Sequence, residues 1–322
     1  MGEFDLIARY FTRPVRRNPL GVGDDCALLQ PAPGMQLAVS TDLLVEGRHF
    51  LSTVDPERLG HKALAVNLSD LAACGAQPLA FTLSLSLPQV DERWLAGFAR
   101  GLFALADTHA CELVGGDTTR GPLCINITVF GEVPAGQALL RSGARAGDDL
   151  WVSGTLGDAR LALEAFRGTV SLPQDVFEAA RRRLEQPQPR VALGLALRGL
   201  ATAAIDLSDG LAGDLGHVLR ASRVGAAIEG TAAAGLFAAG RGGFRLPEAQ
   251  VQDLVFAGGD DYELAFTAPA GRRAGVEAAA MRAGAPVTRI GRVRAEPGLV
   301  VVDAQGVARP VDPAGFDHFG GP

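Results

Sequence analysis

The sequence has almost no lysine. Lys62 is the only one among 30 basic residues in a chain of 322, so arginine supplies nearly all of the positive charge. A P-loop needs the pattern Gly-x-x-x-x-Gly-Lys-Ser/Thr, because its lysine reaches the nucleotide phosphates. The pattern is absent, and a P-loop nucleotide site is therefore excluded.

Long apolar runs and paired cysteines are missing as well. No run approaches membrane-spanning length, and the first residues lack a basic region followed by an apolar core. Cys26, Cys74, Cys111 and Cys124 form no Cys-x-x-Cys pair, which is typical of reduced thiols. We therefore expect a cytoplasmic protein.

There is no excess of positive charge. The net charge is −6, with 48% hydrophobic and 20% charged residues, the profile of a folded globular protein. This balance argues against nucleic acid or an anionic membrane as the main partner. The length allows two domains. A stretch rich in Gly, Ala and Arg over 134–147 lacks periodicity, so we place the boundary there, giving domains 1–138 and 139–322.

The pattern of helices and strands predicts an α/β or α+β fold without solenoid repeats. The residues after 229 are expected to form a loop rich in Gly and Ala. The clearest predicted elements are a helix starting at Asp55, strands over 79–87 and 123–133, a helix over 91–109 and a hairpin around 303–306.

One design recurs along the chain, in which an apolar segment delivers an acid into a turn of Gly, Ser or Thr. In the stretch 37–50, the apolar run Leu37-Ala38-Val39 is expected to stop at Ser40-Thr41-Asp42. A single such Asp is usually a turn former or a helix cap. The other examples are Asp24-Asp25, Gly116-Asp117, Asp206-Leu207-Ser208-Asp209 and Gly259-Asp260-Asp261.

Asp70 differs because it lies within a predicted helix. It shares a face with Asn67, and since that helix is otherwise very apolar, its charge must reach water or a partner. The carboxyl ends of strands form the functional edge of α/β folds, where we expect the strand-end acids to converge. Converging carboxylates repel one another unless cations bind, which predicts a shared Mg²⁺ site.

Several Mg²⁺ ions in a lysine-free cleft indicate phosphoryl transfer, because bridging metals let an acidic site hold a polyphosphate. Arg141, in Leu-Leu-Arg-Ser-Gly, is a candidate phosphate clamp, although a solvated linker arginine would have the same sequence. Ser208 and Asp209 precede a predicted helix, and amides there suit a phosphate.

Motifs in order over nearly the whole chain resemble the thiamine-monophosphate kinase family. They are Gly-Val-Gly-Asp-Asp-Cys-Ala (21–27), Ser-Thr-Asp-Leu-Leu-Val-Glu-Gly-Arg-His-Phe (40–50), Lys-Ala-Leu-Ala-Val-Asn-Leu-Ser-Asp-Leu-Ala-Ala (62–73), Gly-Gly-Asp-Thr-Thr-Arg-Gly (115–121), Ile-Asp-Leu-Ser-Asp-Gly-Leu (205–211), Gly-Gly-Asp-Asp-Tyr-Glu-Leu (258–264) and Gly-Phe-Asp-His-Phe (315–319). The resemblance implies ATP-dependent phosphorylation of thiamine monophosphate to thiamine diphosphate.

The resemblance also implies the fold of the aminoimidazole-ribonucleotide-synthetase-like superfamily, with two α/β domains and a homodimer formed through the N-terminal sheets. It makes 1–138 the ATP- and Mg-binding and dimerisation domain, and 139–322 the α/β domain that completes the active site. The residues that it places in the metal shell are Asp25, Ser40, Thr41, Asp42, Asp70, Asp117, Asp206 and Asp209. The residues that it places on the nucleotide are Gly116, Asp117, Arg141 and Ser208, and those on the acceptor are His49, Asp260 and Phe316. We expect Asp42, Asp70, Asp117, Asp206 and Arg141 to carry catalysis.

Two of these positions depart from the family pattern. Asp260 stands where a glutamate is expected, and Phe316 replaces a tyrosine, which keeps a stacking ring and loses the hydroxyl. A lone histidine such as His49 is otherwise typical of a structural residue, and no general base is required because the acceptor oxygen is ionised near neutral pH. We expect direct in-line transfer without a phosphoenzyme.

Two alternatives stay open: another ATP-using enzyme of the superfamily, and a non-catalytic module that binds divalent cations or nucleotides. The final residues Phe319-Gly320-Gly321-Pro322 carry no cysteine, which disfavours a hydrogenase-maturation enzyme. No Cys/Lys pair lies in an N-terminal glycine loop, which disfavours selenophosphate synthesis. The acids match no Asp-x-Asp-x-Asp-Gly calcium loop, which disfavours a cation sensor.

Overall fold

The computed structural model describes residues 2–241 and 243–311, so that Phe316 and the motif 315–319 lie outside the described residues. The chain divides into two compact units. The first consists of Met1–Leu71 and Ala76–Ala138, and the second of Ala72–Gly75 and Leu139–Pro322. Within the described part of the chain, no helix is long and apolar enough to cross a membrane.

The first unit is built on a four-stranded sheet in the order β1-β4-β2-β3. Strand β4 pairs antiparallel with β1 and β2, and β2 pairs parallel with β3. The elements are α1 (Glu3–Leu6), which continues as a π-helix (Ile7–Phe11), β1 (Met35–Val45), α2 (Pro56–Ala73), β2 (Gln77–Leu87), α3 (Glu92–Thr108), β3 (Glu112–Arg120) and β4 (Cys124–Pro134).

The helices of this unit begin where the sequence offers caps. Asp91 accepts hydrogen bonds from the amides of Arg93 and Trp94 and so caps α3, and Asp55 accepts from the amides of Glu57 and Arg58 at the start of α2.

One face of β1 contacts α2 and is called the helix face. The opposite, open face of β1 exposes Leu37 (45%), Val39 (59%) and Leu43 (51%), because side chains alternate along a strand.

Two strands run through the acidic motifs that were expected to end them. Strand β1 stays paired with β4 from Met35 to Val45, and β3 continues past Asp117 to Arg120. The prediction that these acids lie at strand ends was therefore wrong for Asp42 and Asp117. Most neighbouring strands of this sheet are antiparallel, so their carboxyl ends lie at both ends of the strands. They therefore do not form a single functional side.

The second unit holds a seven-stranded sheet in the order β11-β10-β7-β9-β5-β8-β6. Its pairs are antiparallel except for β10 with β7. The elements are β5 (Asp148–Ser153), α4 (Asp158–Phe166), α5 (Gln174–Glu185), α6 (Val191–Leu197), β6 (Ala203–Leu207), α7 (Leu211–Ser222), β7 (Gly225–Glu229), α8 (Gly230–Ala234), α9 (Ala238–Arg241), α10 (Glu248–Ala257), β8 (Glu263–Pro269), α11 (Arg273–Ala283), β9 (Val287–Arg294), β10 (Gly298–Val302) and β11 (Ala308–Val311).

The predicted mixed α/β class and the closing hairpin are confirmed, the hairpin by the antiparallel pairing of β10 with β11. The predicted loop after 229 is wrong in part, because it contains the short helices α8 and α9. Their alanines favour a helix, and Leu236 and Phe237 between them are buried in the core of the unit.

Candidate active site

Two polar residues of α2 meet the helix face of β1. The Ser40 hydroxyl donates a 2.5 Å hydrogen bond to Asp70 Oδ2, and the Asp42 amide donates to Asn67 Oδ1 at 3.1 Å. Asn67 is buried and anchors itself to the carbonyl of Ala63. The expectation that Asn67 and Asp70 share a face and that Asp70 meets a partner is confirmed.

The open face carries a second polar group that begins at Thr41. Thr128 and Asn126 of β4 both donate hydrogen bonds to Thr41 Oγ1, at 3.0 and 3.2 Å. The pairing of the strands continues from Asn126 to Ser84 of β2 and from Ser84 to Asp117 of β3. Since directly paired residues project from the same face, Asp117 lies on the open face with Thr41.

A cavity of about 610 Å³ lies at the β3 side of this unit. Its size is in the range of small-molecule sites. Asp24, Asp25 and Asp117 supply carboxylates to its lining. The N-terminal helical segment gives it an apolar wall that no motif in the sequence marks, because a short amphipathic helix carries none. The residues of that wall are Phe4, Ile7 and Phe11.

Gly116, a predicted nucleotide contact, is required by the backbone at this position. Its φ is +143°, and a Cβ there would lie 1.8 Å from the carbonyl oxygen of Leu83. Any side chain would therefore push β3 away from β2. The glycine lets β3 pair closely with β2 immediately before Asp117.

Within the first unit, the predicted metal ligands form two groups. Asp42 and Ser40 lie on the helix face of β1, an edge strand, where Ser40 contacts Asp70 of α2. Asp117 lies on the open face of β3, the strand at the other edge of the sheet. Three strand spacings separate the two strands, roughly 14 Å. Asp25 belongs with Asp117, because both line the cavity.

In the second unit, Asp206 is the penultimate residue of β6, and Ser208 and Asp209 form the turn before α7. The backbone amides of Ser208 and Asp209 both donate to Asp214 Oδ2, at 3.0 and 2.9 Å. These amides, which were expected to suit a phosphate, donate to a carboxylate of α7 in this structure. No sequence signal marks Asp214, because its spacing from the turn matches no capping rule.

Arg141 is electrostatically coupled to this turn. Burial is the main cause that raises the pKa of Asp214 to about 7; the charge of Asp209 also raises it, whereas the amides of Asp209 and Ser208 and the charge of Arg141 act in the opposite direction. Burial lowers the pKa of His217, with Arg220 and Arg141 adding to the effect. The carbonyl of Arg141 also accepts a hydrogen bond from Ser222 at the end of α7. Arg141 thus lies beside the turn that carries Ser208 and Asp209.

Asp260 lies in a turn that is joined to the same segment. Its amide donates to the carbonyl of Ser208 at 2.9 Å, and the Tyr262 amide donates to the carbonyl of Leu207 at 2.8 Å. The structure therefore places the predicted acceptor residue Asp260 one hydrogen bond from the predicted nucleotide residue Ser208.

His49 follows the end of β1 and is held by it. The Val45 amide donates to His49 Nδ1 at 2.9 Å, and the His49 amide donates to the carbonyl of Val45 at 3.0 Å. Because Nδ1 accepts a hydrogen bond, the neutral ring carries its proton on Nε2. The ring orientation is thus set by the strand that also carries Ser40 and Asp42.

Among the residues that the structure describes, no three His, Cys, Asp or Glu side chains are grouped to hold a metal ion by themselves. Mg²⁺ needs no such cage, since it typically takes one or two carboxylates and completes its shell with water and substrate phosphates. Asp25 and Asp117 supply only hard oxygen donors to the cavity that they share, which fits this mode of binding.

Both halves of the chain match models of one protein class. Residues 23–133 match the N-terminal domain, and residues 145–304 the C-terminal domain, of AIR synthase related proteins. The two sheet-based units with their acid- and glycine-bearing motifs thus define a member of this class.

Closer relatives give the particular family. The thiamine-monophosphate kinase of Salmonella typhimurium is 48% identical, and the match covers 100% of this chain and 99% of the relative. The crystal structure of thiamine-monophosphate kinase from Stenotrophomonas maltophilia K279a is 45% identical, with a TM-score of 0.84 and 95% and 96% of the two chains covered. The structure of AaThiL complexed with AMPPCP and TMP is 30% identical, with a TM-score of 0.76 and 98% and 96% covered. The chain belongs to the thiamine-monophosphate kinase family.

Proposed function

We propose that this protein transfers the γ-phosphoryl group of ATP to the phosphate of thiamine monophosphate, giving thiamine diphosphate and ADP. The observation that carries the proposal is the 48% identity with the Salmonella typhimurium kinase over 100% of this chain, which includes both units. The complex of AaThiL with AMPPCP and TMP supports ATP as the co-substrate and thiamine monophosphate as the acceptor.

The chemistry is an in-line displacement at the γ-phosphorus. An oxygen of the acceptor phosphate forms a new P–O bond, the bond to the β–γ bridging oxygen breaks, and ADP leaves with that bond's electron pair. The acceptor oxygen is ionised near neutral pH, so no residue has to remove a proton and no phosphoenzyme is formed. Most of the catalysis then comes from positioning and charge neutralisation.

Several Mg²⁺ ions are assigned to this reaction. When bound, they neutralise the charge that develops on the transferring phosphoryl group and its leaving oxygen. The proposed ligands in the first unit are Asp25, Ser40, Thr41, Asp42, Asp70 and Asp117, and those in the second unit are Asp206 and Asp209. The oxygen-only chemistry of these side chains supports the assignment.

The nucleotide contacts are assigned to Gly116, Asp117, Arg141 and Ser208. Gly116 brings the backbone of β3 close to β2 beside the cavity, and Asp117 is part of the cavity lining. Arg141 lies beside Asp214 and Asp209 and supplies positive charge in a chain that has a single lysine. The catalytic group comprises Arg141 with Asp42, Asp70, Asp117 and Asp206.

The acceptor contacts are assigned to His49, Asp260 and Phe316. His49 Nε2 carries the ring proton when Nδ1 accepts from Val45, so it is suited to donate to an anionic phosphate. Residues 1–138 are assigned the role of the ATP- and Mg-binding domain, and 139–322 add Arg141, Asp206, Ser208, Asp209, Asp260 and Phe316 to the reactive groups.

We further propose a cytoplasmic homodimer that forms through the open face of the N-terminal sheet. Leu37, Val39 and Leu43 are about half exposed in a row along β1, which is the kind of apolar surface that marks an interface. A second copy would cover this row.

The direct test is a coupled assay of ADP formation with three acceptors: thiamine monophosphate, thiamine and an aminoimidazole-ribonucleotide precursor. We expect Mg²⁺-dependent turnover with thiamine monophosphate alone. Turnover with the aminoimidazole precursor and none with thiamine monophosphate would assign the chain to another activity of its class.

A further inference from the structure

The turn that carries Asp260 is strained. Asp260 and Tyr262 both have positive φ, +67° and +51°, although neither is a glycine. Non-glycine residues in this region are energetically unfavourable and persist only where the surroundings hold them. The backbone bonds to Leu207 and Ser208 hold one side of the turn.

Asp261, between the two strained residues, holds the turn through its buried side chain. Its carboxyl group is buried, with 2% of the residue exposed, and Oδ2 accepts from the Gly157 amide at 2.9 Å. The other oxygen, Oδ1, is buried and has no hydrogen-bond partner. Burial raises the pKa of Asp261 well above its ordinary value. A group that is this costly to bury indicates a specific role.

Glu263, two residues on, is completely buried and paired with two arginines. Arg190 binds it through two hydrogen bonds of 2.6 Å, and Arg183 through one of 2.8 Å. Ser153 donates to the same carboxylate at 2.5 Å. Gly154 leaves room for it, because a Cβ there would lie 2.0 Å from Glu263 Oε1.

Arg183 joins the two buried acids. Besides Glu263, its Nη2 donates to the carbonyl of Asp261 at 3.3 Å and to that of Thr155 at 3.2 Å. The turn is thus held at three points: the Asp261 side chain bonds to Gly157, the Asp261 carbonyl accepts from Arg183, and Glu263 at the start of β8 pairs with the two arginines. We call Asp261, Glu263, Arg183 and Arg190 the buried clamp.

We propose that the buried clamp positions Asp260 for the phosphate acceptor, with Asp261 as its principal positioning residue. Asp261 reaches the acceptor only through the backbone of its neighbour, because its own side chain points into the core toward Gly157. The inference rests on the proposed function, which assigns Asp260 to the acceptor. It goes beyond that function by giving a buried residue control over acceptor affinity.

The experiment compares Asp261→Ala, Asp261→Asn and wild type in steady-state kinetics with thiamine monophosphate and ATP varied separately. Asp261→Ala removes the acceptor of the Gly157 amide, so we expect the KM for thiamine monophosphate to rise about 10-fold or more, with a smaller change in kcat. Asp261→Asn keeps an acceptor oxygen, so we expect it to restore most of the affinity.

The matched control is Asp149→Ala. Asp149 is another completely buried carboxylate of the second unit, bound by Arg273 at 2.6 and 2.8 Å. We expect this variant to lose thermal stability and keep the wild-type KM for the acceptor. An equal rise in KM in both variants would overturn the inference, since it would mark a general loss of structure.

A double mutant tests whether Asp261 acts through Asp260. Asp260→Ala should raise the acceptor KM by itself, and adding Asp261→Ala should raise it no further. Additive effects would overturn the inference. If Asp261→Ala does not fold, Arg183→Gln replaces it, because that side chain is 20% exposed and its loss leaves Glu263 paired with Arg190.

The kinetics also separate this inference from the proposed function. Active wild-type enzyme with an unchanged acceptor KM in Asp261→Ala would overturn the inference alone. Wild-type enzyme without turnover on thiamine monophosphate would overturn the proposed function and, with it, the inference.

Discussion

The Ser40 hydroxyl donates a 2.5 Å hydrogen bond to Asp70 Oδ2 and so joins the middle of an edge strand to helix α2. The bond fixes one carboxylate oxygen of Asp70. Asp42, two residues along the same strand, projects from the same face. Ser40 and Asp42 thus lie on one continuous strand paired with β4, and the bond from Ser40 brings Asp70, 30 residues further along the chain, to the same face.

The first prediction concerns Asp42→Asn. The substitution keeps the volume of the side chain and removes a charge, so we expect turnover to fall by about 10²- to 10³-fold, as for other groups that stabilise transition-state charge. The free energy of unfolding should change by less than about 0.5 kcal/mol. Coupled ADP release and thermal unfolding measure the two effects. Asp107→Asn, at an exposed acid of α3 paired with Arg13, is the control and should keep full activity.

The second prediction separates His49 from Asp42. His49→Ala should raise the KM for thiamine monophosphate by about 10-fold, because the loss removes a donor to an anionic phosphate, and should leave kcat less affected. His49→Asn can still accept from the Val45 amide while lacking the outer nitrogen, so it should show the same rise in KM with a smaller loss of stability. A KM change of the same kind in Asp42→Asn would contradict this division of roles.

The third prediction concerns Asp214, which accepts the amides of Ser208 and Asp209. Asp214→Ala leaves both amides without their acceptor and loosens the turn, so we expect kcat/KM for ATP to fall by about 10- to 100-fold. Asp214→Asn, which retains one acceptor oxygen, should recover most of it. Equal activity of the alanine variant and wild type would show that the turn needs no support from α7.

The fourth prediction is a pH dependence of stability at Glu112. Burial alone would raise the pKa of this carboxyl group, but the amides of Arg16, Arg17 and Asn18 and the Asn18 side chain outweigh it and lower the pKa below 4.5. A lowered pKa means that the stabilisation is present above pH 4.5 and is lost as the pH falls through the folded-state value.

Glu112→Gln should therefore unfold at a lower temperature near neutral pH and show a smaller further loss below pH 4.5. Thermal unfolding from pH 3 to pH 7 measures this, with the exposed Glu57→Gln as the control. Limited proteolysis should cleave the segment around 16–18 faster in the Glu112 variant. A variant with the same acid-side loss as wild type would contradict the assignment.

The fifth prediction addresses the proposed dimer. Val39→Asp places a charge in the middle of the exposed apolar row of β1, so we expect it to shift the protein from dimer to monomer in light scattering. Met281→Asp, at an apolar side chain of the second unit that is 83% exposed, is the control and should leave the mass unchanged. A monomeric wild-type protein would rule out this interface.

Local pattern was sufficient to predict much of the fold. Asp55 marked the start of α2, and the alternation over 79–87 marked β2. It was insufficient at Asp42 and Asp117, because a polar residue in a strand looks like the end of the strand unless the pairing partner is known. The pairing of β1 with β4 joins segments that are far apart in the sequence, and no local signal reports it.

The same limit applies to the candidate site. The motifs identified the acids, but only the folded sheet separates Asp42 from Asp117 by face and by strand order. Asp214 could not be predicted, because it accepts hydrogen bonds from two backbone amides, and such contacts leave no motif in the sequence. Asp261 and Glu263 were quoted within a motif, but their burial and their arginine partners depend on tertiary packing.

The central claim is tested most directly by the products of one reaction. Purified protein is incubated with ATP, Mg²⁺ and thiamine monophosphate, and ADP and thiamine diphosphate are quantified by chromatography over time. The account predicts that both appear in equal amounts, and that neither forms when Mg²⁺ is chelated. ADP formed without thiamine diphosphate, or no reaction at all with this acceptor, would contradict it.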